Sequence, residues 1–219
     1  MVEISTSLLS VKKENIIKTI YNLETAKTDY FHIDVMDGEF VENNTTEQMV
    51  EYCDYVSNIT NIPIDVHLMV NDVYKYINMF LPNNPSCITI HYEAFNDKNK
   101  LIDALDYIKS NNCKAGISIK PNTDVSEIKD ILDQVHIVLI MTVEPGKGGQ
   151  ELIEATLNKI KELSEIIKEK DLDALIEADG GINLENAKKV KEAGAEILVS
   201  GTGIINSENY NETIQEMKK

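Results

Sequence analysis

Short runs of β-branched and aliphatic residues alternate eight times with amphipathic helical stretches, and this alternation restricts the fold more than any other feature of the chain. The strand-like runs cover residues 3–9, 30–35, 64–70, 87–92, 115–119, 136–143, 174–178 and 196–200. The helical periods cover 14–23, 47–56, 73–80, 98–110, 125–132, 151–168, 184–193 and 210–217. Near-continuous apolar runs such as His136-Ile137-Val138-Leu139-Ile140-Met141 suit strands covered on both faces, as in parallel sheets. Ile160, Leu163, Ile166 and Ile167 form a helical stripe. Asn183 reads as the N-cap of the seventh helix and Gly194 as its C-terminal stop. Eight units in 219 residues leave about 27 residues each, close to the minimum for a βαβ crossover. No linker or low-complexity break divides them. The expected fold is therefore α/β, a single (β/α)8 TIM barrel over residues 1–219. The rival, an open doubly wound sheet, would place a glycine-rich turn after the first strand. Here that turn reads Ser7-Leu8-Leu9-Ser10, and no glycine precedes Gly38.

Charge narrows the ligand classes. The 21 basic and 37 acidic residues give a net charge of −16, which disfavours nucleic acid and anionic membranes as partners. All 21 basic residues are lysine, so an anionic ligand must be held by lysine, metal or backbone N–H groups. No long apolar run or signal-peptide pattern is present, and a cytoplasmic location is expected. Cys53, Cys87 and Cys113 suit neither a disulfide framework nor a zinc knuckle and read as reduced core thiols.

Polar residues with chemical potential fall near strand C-terminal ends, where barrel active sites assemble. On the second strand His32, Asp34 and Met36 share one face; on the third, Asp65, His67 and Met69 do so. The seventh carries Glu177 and Asp179. Two histidines and two aspartates from three strands form an N/O site for a divalent metal such as zinc or ferrous iron. Taken singly, each such residue has a bland reading as a hydrogen-bonded or capping side chain; their shared phase weakens it. His91 with Glu93, on the fourth strand, reads as structural, and Tyr21, Tyr30, Tyr52, Tyr55, Tyr74 and Tyr76 as packing residues. Three glycine loops follow the last three strands: Gly146-Lys147-Gly148-Gly149, Gly180-Gly181 and Gly201-Thr202-Gly203. In a chain without arginine they point to capture of a phosphate by backbone N–H groups.

Five motifs in order resemble the ribulose-phosphate 3-epimerase family. They are Ser7-Leu8-Leu9-Ser10; His32-x-Asp34-x-Met36-Asp37-Gly38-x-Phe40-Val41; Asp65-Val66-His67-Leu68-Met69; Met141-Thr142-Val143-Glu144-Pro145-Gly146-x-Gly148-Gly149-Gln150; and Asp179-Gly180-Gly181-Ile182. The resemblance spans about residues 3–206 and implies a barrel of the ribulose-phosphate-binding type. It implies one divalent metal per chain on His32, Asp34, His67 and Asp179, with zinc or ferrous iron expected first and manganese or cobalt as alternatives. Asp34 and Asp179 would double as the acid/base pair of a 3-epimerase interconverting ribulose 5-phosphate and xylulose 5-phosphate. Ser7 and His67 would touch the sugar, and Met36, Met69 and Met141 would line the reaction centre. Gly146, Lys147, Gly148 and Gly149, with Gly180, Gly181, Gly201 and Thr202, would surround the phosphate. A homo-oligomer in carbohydrate metabolism is the expected setting. Family members usually carry proline at Thr6 and Glu42, asparagine at Lys120 and an aromatic residue at Lys147. The rivals are an epimerase of another ketose phosphate, such as allulose 6-phosphate, and a non-catalytic phosphate-binding barrel. A phosphate-barrel decarboxylase is disfavoured, because no lysine has an aspartate two residues before it.

Overall fold

The computed structural model describes residues 2–219. Eight parallel strands close on themselves in sequence order: β1 (Glu3–Ser7), β2 (Tyr30–Met36), β3 (Ile64–Met69), β4 (Cys87–His91), β5 (Lys114–Ile119), β6 (Ile137–Met141), β7 (Leu175–Asp179) and β8 (Ile197–Ser200). The helices are α1 (Ile16–Thr25), α2 (Thr46–Ile59), α3 (Val73–Phe80), α4 (Lys98–Ser110), α5 (Thr156–Glu169), α6 (Ala187–Ala193), the single turn α7 (Thr202–Ile205) and α8 (Tyr210–Lys218). Among the described residues no helix is long and apolar enough to cross a membrane.

Strand alternation sorts the core into two compartments. Outward-facing residues such as Ile33, Val66, Ile88, Ile117 and Val138 join the apolar stripes of the helices in one continuous layer around the barrel. Inside, Cys87, Ile137, Leu139, Met141, Val143 and Ile197 form a separate apolar cluster. The interior beside it is polar: Ser5, His32, Asp65, His67, Thr89, Ser118 and Glu177 are all buried. Closing a barrel over so many polar groups costs free energy unless they pair with one another or with a ligand. The pairing register supplies part of that compensation, setting His32 opposite Asp65, Asp34 opposite His67 and Met36 opposite Met69.

Several sequence expectations differ from the structure. The helix expected at 125–132 is replaced by 3-10 turns at Val125–Glu127 and Leu132–Gln134. Val125, Ile128 and Ile131 are buried at a spacing of three, which a three-residue turn satisfies as well as an α-helix does. The bonds from Ile128 N–H to Val125 O and from Ile131 N–H to Ile128 O follow that tighter pattern. The helix expected from residue 151 begins at Thr156, because Ile153 N–H is tied to Thr142 O and holds the preceding segment across the end of β6. Asn183 caps a turn by accepting from Glu185 N–H, and the helix expected from residue 184, α6, begins only at Ala187; Gly194 does end it, at φ 119°. The three cysteines are buried and free, as expected. Tyr52 and Tyr76 pack as expected, whereas Tyr21 and Tyr74 are exposed, contrary to their reading as packing residues.

Candidate active site

A cleft opens where the C-terminal ends of β1, β2, β3, β6, β7 and β8 converge. Ser7, Asp34, Met36, Met69, Met141 and Asp179 line it together with the loop 144–150, Gly180, Gly181, Gly201 and Thr202. All the site residues named from the sequence therefore meet in one place, except that His32 and His67 lie fully buried beneath the cleft. Leu9, Ser10, Val143 and Ile182, which the motifs contain without a role assigned to them, complete the wall with Val199, which lies outside the motifs.

The floor is a cluster of four donors. One ligand atom from each of His32, Asp34, His67 and Asp179 lies within 4.8 Å of the other three. His32 Nε2 stands 3.4 Å from Asp34 Oδ1 and 3.8 Å from Asp179 Oδ2; His67 Nδ1 stands 3.7 Å and 3.4 Å from the same two oxygens. Both nitrogens are buried without a hydrogen-bond partner. Two orphaned imidazole nitrogens aimed at two carboxylates are what a divalent cation with N/O preference requires, and the cluster fits one.

Outer groups orient these donors. His32 Nδ1 lies 2.6 Å from Asp65 Oδ2, which also accepts from Ser5 Oγ at 3.0 Å. Burial disfavours the charged forms here, yet neighbouring charges reverse it. The His32 and His67 imidazoles hold the Asp34 carboxyl well below the usual range, while Asp65 and Asp34 raise His32. Beneath them burial, reinforced by Asp65, raises Glu177 well above the usual carboxylate range. Glu177 Oε1, Glu177 Oε2 and Asp65 Oδ1 are buried there without a hydrogen-bond partner. On the far side His67 Nε2 meets His91 Nε2 at 3.0 Å, and His91 Nδ1 meets Glu93 Oε2 at 3.0 Å. Burial pushes the His91 imidazole down to about 4; for Glu93 burial acts upward, but the contacts with His91, Thr123 and the Lys120 backbone together bring it down to about 2. His91 therefore touches the donor cluster through His67, and Glu93 touches His91; both are hydrogen-bonded, in keeping with their structural reading. Ser7, expected against the sugar, donates to Asp34 Oδ2 at 2.6 Å.

The loop after β6 is shaped from both sides. Gln150 Nε2 bridges its neck to Glu144 O at 2.7 Å and Lys147 O at 2.8 Å, and Asn43 Nδ2 reaches Gly146 O at 2.6 Å. Gly181 sits at φ +69°, and a Cβ there would fall 2.5 Å from the backbone nitrogen of Leu152, so only glycine fits. Lys147 and Glu42 are exposed, Thr6 is buried against Thr28, and Lys120 places its ammonium 4.0 Å above the Phe40 ring. These departures from the family pattern leave the four donors in place.

A closed parallel barrel with paired carboxylates, imidazole donors and glycine loops at its C-terminal mouth defines the class of barrel enzymes that act at the strand ends. The ribulose-phosphate 3-epimerase family model matches residues 3–205, and the chain belongs to that family. It is 38% identical over 188 residues to a ribulose-phosphate 3-epimerase of Bacillus subtilis, covering 85% of this chain and 84% of that one. It is 37% identical to a chloroplastic ribulose-5-phosphate-3-epimerase of Arabidopsis thaliana, covering 98% of this chain and 75% of that one. Among solved structures, a 3-keto-L-gulonate-6-phosphate decarboxylase from Vibrio cholerae superposes with a TM-score of 0.72 at 12% identity. It covers 100% of this chain and 96% of that one, a likeness of fold alone. The chain is accordingly an isomerase, a 3-epimerase acting on a sugar phosphate.

Proposed function

We propose that this chain interconverts D-ribulose 5-phosphate and D-xylulose 5-phosphate, with Asp34 and Asp179 as the two proton carriers. The observation that carries the proposal is the placement of both carboxylates on the wall of one cleft, in the same cluster, on strands three steps apart round the barrel. Inverting a carbon next to a ketone needs a base on one face and an acid on the other. One aspartate takes the C3 proton, and the electron pair moves toward the ketone oxygen to give an enediolate. The other returns a proton to C3 from the opposite face, and the reverse reaction exchanges their roles. The imidazoles keep Asp34 ionised, and Ser7 holds its second oxygen. Met36, Met69 and Met141 supply polarizable walls without competing proton donors.

His32, Asp34, His67 and Asp179 would hold one divalent cation, with zinc or ferrous iron favoured over magnesium by the two nitrogen donors. When bound it supplies a Lewis acid for the negative charge that develops on the substrate. Gly146, Gly148, Gly149, Gly180, Gly181, Gly201 and Thr202 would surround the phosphate, chiefly through backbone N–H groups. Lys147 is exposed on that loop and contributes only a solvent-screened charge. Lys147→Ala should therefore raise KM by less than about tenfold and leave kcat nearly unchanged, the scale of an exposed charge contact. Steady-state kinetics would check it; abolished activity would promote the lysine to a primary phosphate or catalytic group.

The proposal treats residues 1–219 as one barrel domain that works as a homo-oligomer in cytoplasmic carbohydrate metabolism, although the Arabidopsis relative is chloroplastic. Parallel assays with ribulose 5-phosphate and allulose 6-phosphate test the substrate. Faster turnover of the pentose phosphate is the expected result; preference for the hexose phosphate would move the specificity, and turnover of neither would favour a binding barrel.

A further inference from the structure

We propose that Glu93, acting through His91, fixes which ring nitrogen of His67 faces the active site. The role is one of positioning, and it rests on the reading that the four-donor cluster holds a metal. A neutral imidazole has one N–H donor and one acceptor nitrogen. Glu93 Oε2 is an acceptor, so the ring nitrogen 3.0 Å away, His91 Nδ1, carries the hydrogen and donates. His91 Nε2 is then the acceptor. Its partner at 3.0 Å, His67 Nε2, must in turn donate. That leaves a lone pair on His67 Nδ1, the buried atom without a hydrogen-bond partner that points at Asp34 and Asp179. The chain of donors thus runs outward from the cluster and ends on a carboxylate. Asp65 does the same for His32 in one step, at 2.6 Å.

Glu93 is itself held in one orientation. Its Oε1 accepts from Lys120 N–H at 2.7 Å and from the Thr123 hydroxyl, leaving Oε2 for His91. The backbone N–H can only donate, which makes Glu93→Gln informative although it preserves shape. The glutamine carbonyl must face Lys120, so the amide NH2 faces His91 Nδ1 and forces it to accept. The hydrogen on His91 then moves to Nε2, His67 Nε2 becomes an acceptor, and the His67 hydrogen moves to Nδ1. A ligand is converted into a donor two residues away from the substitution.

The test is nitrogen-15 NMR of histidine-labelled, metal-free protein, which reads the tautomers without metal or activity, together with Co²⁺ titration. The pH is set high enough to make His67 neutral, since burial lowers that imidazole but Asp179 and Asp34 raise it. In the native chain His67 should carry its hydrogen on Nε2. In Glu93→Gln it should move to Nδ1, and Co²⁺ should bind about 10–100-fold more weakly, the usual effect of losing an outer partner of a metal-ligating histidine. Hydrogen on Nδ1 of native His67, or an unchanged tautomer in Glu93→Gln, would overturn the proposal. If the variant does not fold, the native spectrum alone decides. Predicted tautomers in a native chain that takes up no Co²⁺ would support the relay and refute the metal reading instead.

Discussion

Asp34→Asn and Asp179→Asn should each lower kcat by on the order of 10²–10⁴, the range expected when a positioned proton carrier is removed. The two losses should be separate, because each face of C3 needs its own carrier. In Asp34→Asn the two imidazoles also lose the carboxylate they flank, and the amide offers a single acceptor oxygen where the carboxylate offered two, one of them taken by Ser7 Oγ at 2.6 Å. In Asp179→Asn, His67 loses its nearer carboxylate, at 3.4 Å. Both residues belong to the four-donor cluster, so metal content must be measured beside turnover. A variant that keeps its metal but loses turnover isolates the proton-transfer role. Near-native turnover in either variant would remove that residue from the acid/base pair.

Metal removal is the other change with a large expected effect. A Lewis acid stabilising a developing negative charge is worth several kcal/mol, so stripping it should cost at least about 10²-fold in kcat. The barrel should remain folded. Its stability comes from the continuous apolar layer between sheet and helices, which the four donors do not join. Chelation followed by circular dichroism and elemental analysis should show unchanged helix content with activity lost, and zinc or ferrous iron should restore it. Full activity in demonstrably metal-free protein would contradict the metal role while leaving the two-carboxylate mechanism standing.

The strand pattern carried most of the fold. Runs such as 64–70 and 136–143 contain β3 and β6 because residues buried on both faces leave an unbroken apolar or in-phase signature. The segment after β5 was not legible, since Val125, Ile128 and Ile131 repeat at a spacing that two helix types share. The inner face of the site was legible too: alternation alone put His32 with Asp34 and Asp65 with His67. The outer hydrogen bonds were not. That His91 meets His67, and that Ser7 meets Asp34, depends on which strands adjoin and at what height, and strand phase carries no such information. Glu177 is a further instance, a carboxyl whose upward shift follows only from its burial and from Asp65 beside it.

The most direct test of two carboxylates exchanging a proton at C3 is epimerisation of ribulose 5-phosphate in deuterated water, followed by proton NMR. The two-carrier mechanism predicts xylulose 5-phosphate as product with deuterium at C3 from the first turnovers, because the returned proton comes from a different side chain than the one removed. Product that forms while retaining its original C3 proton would contradict it.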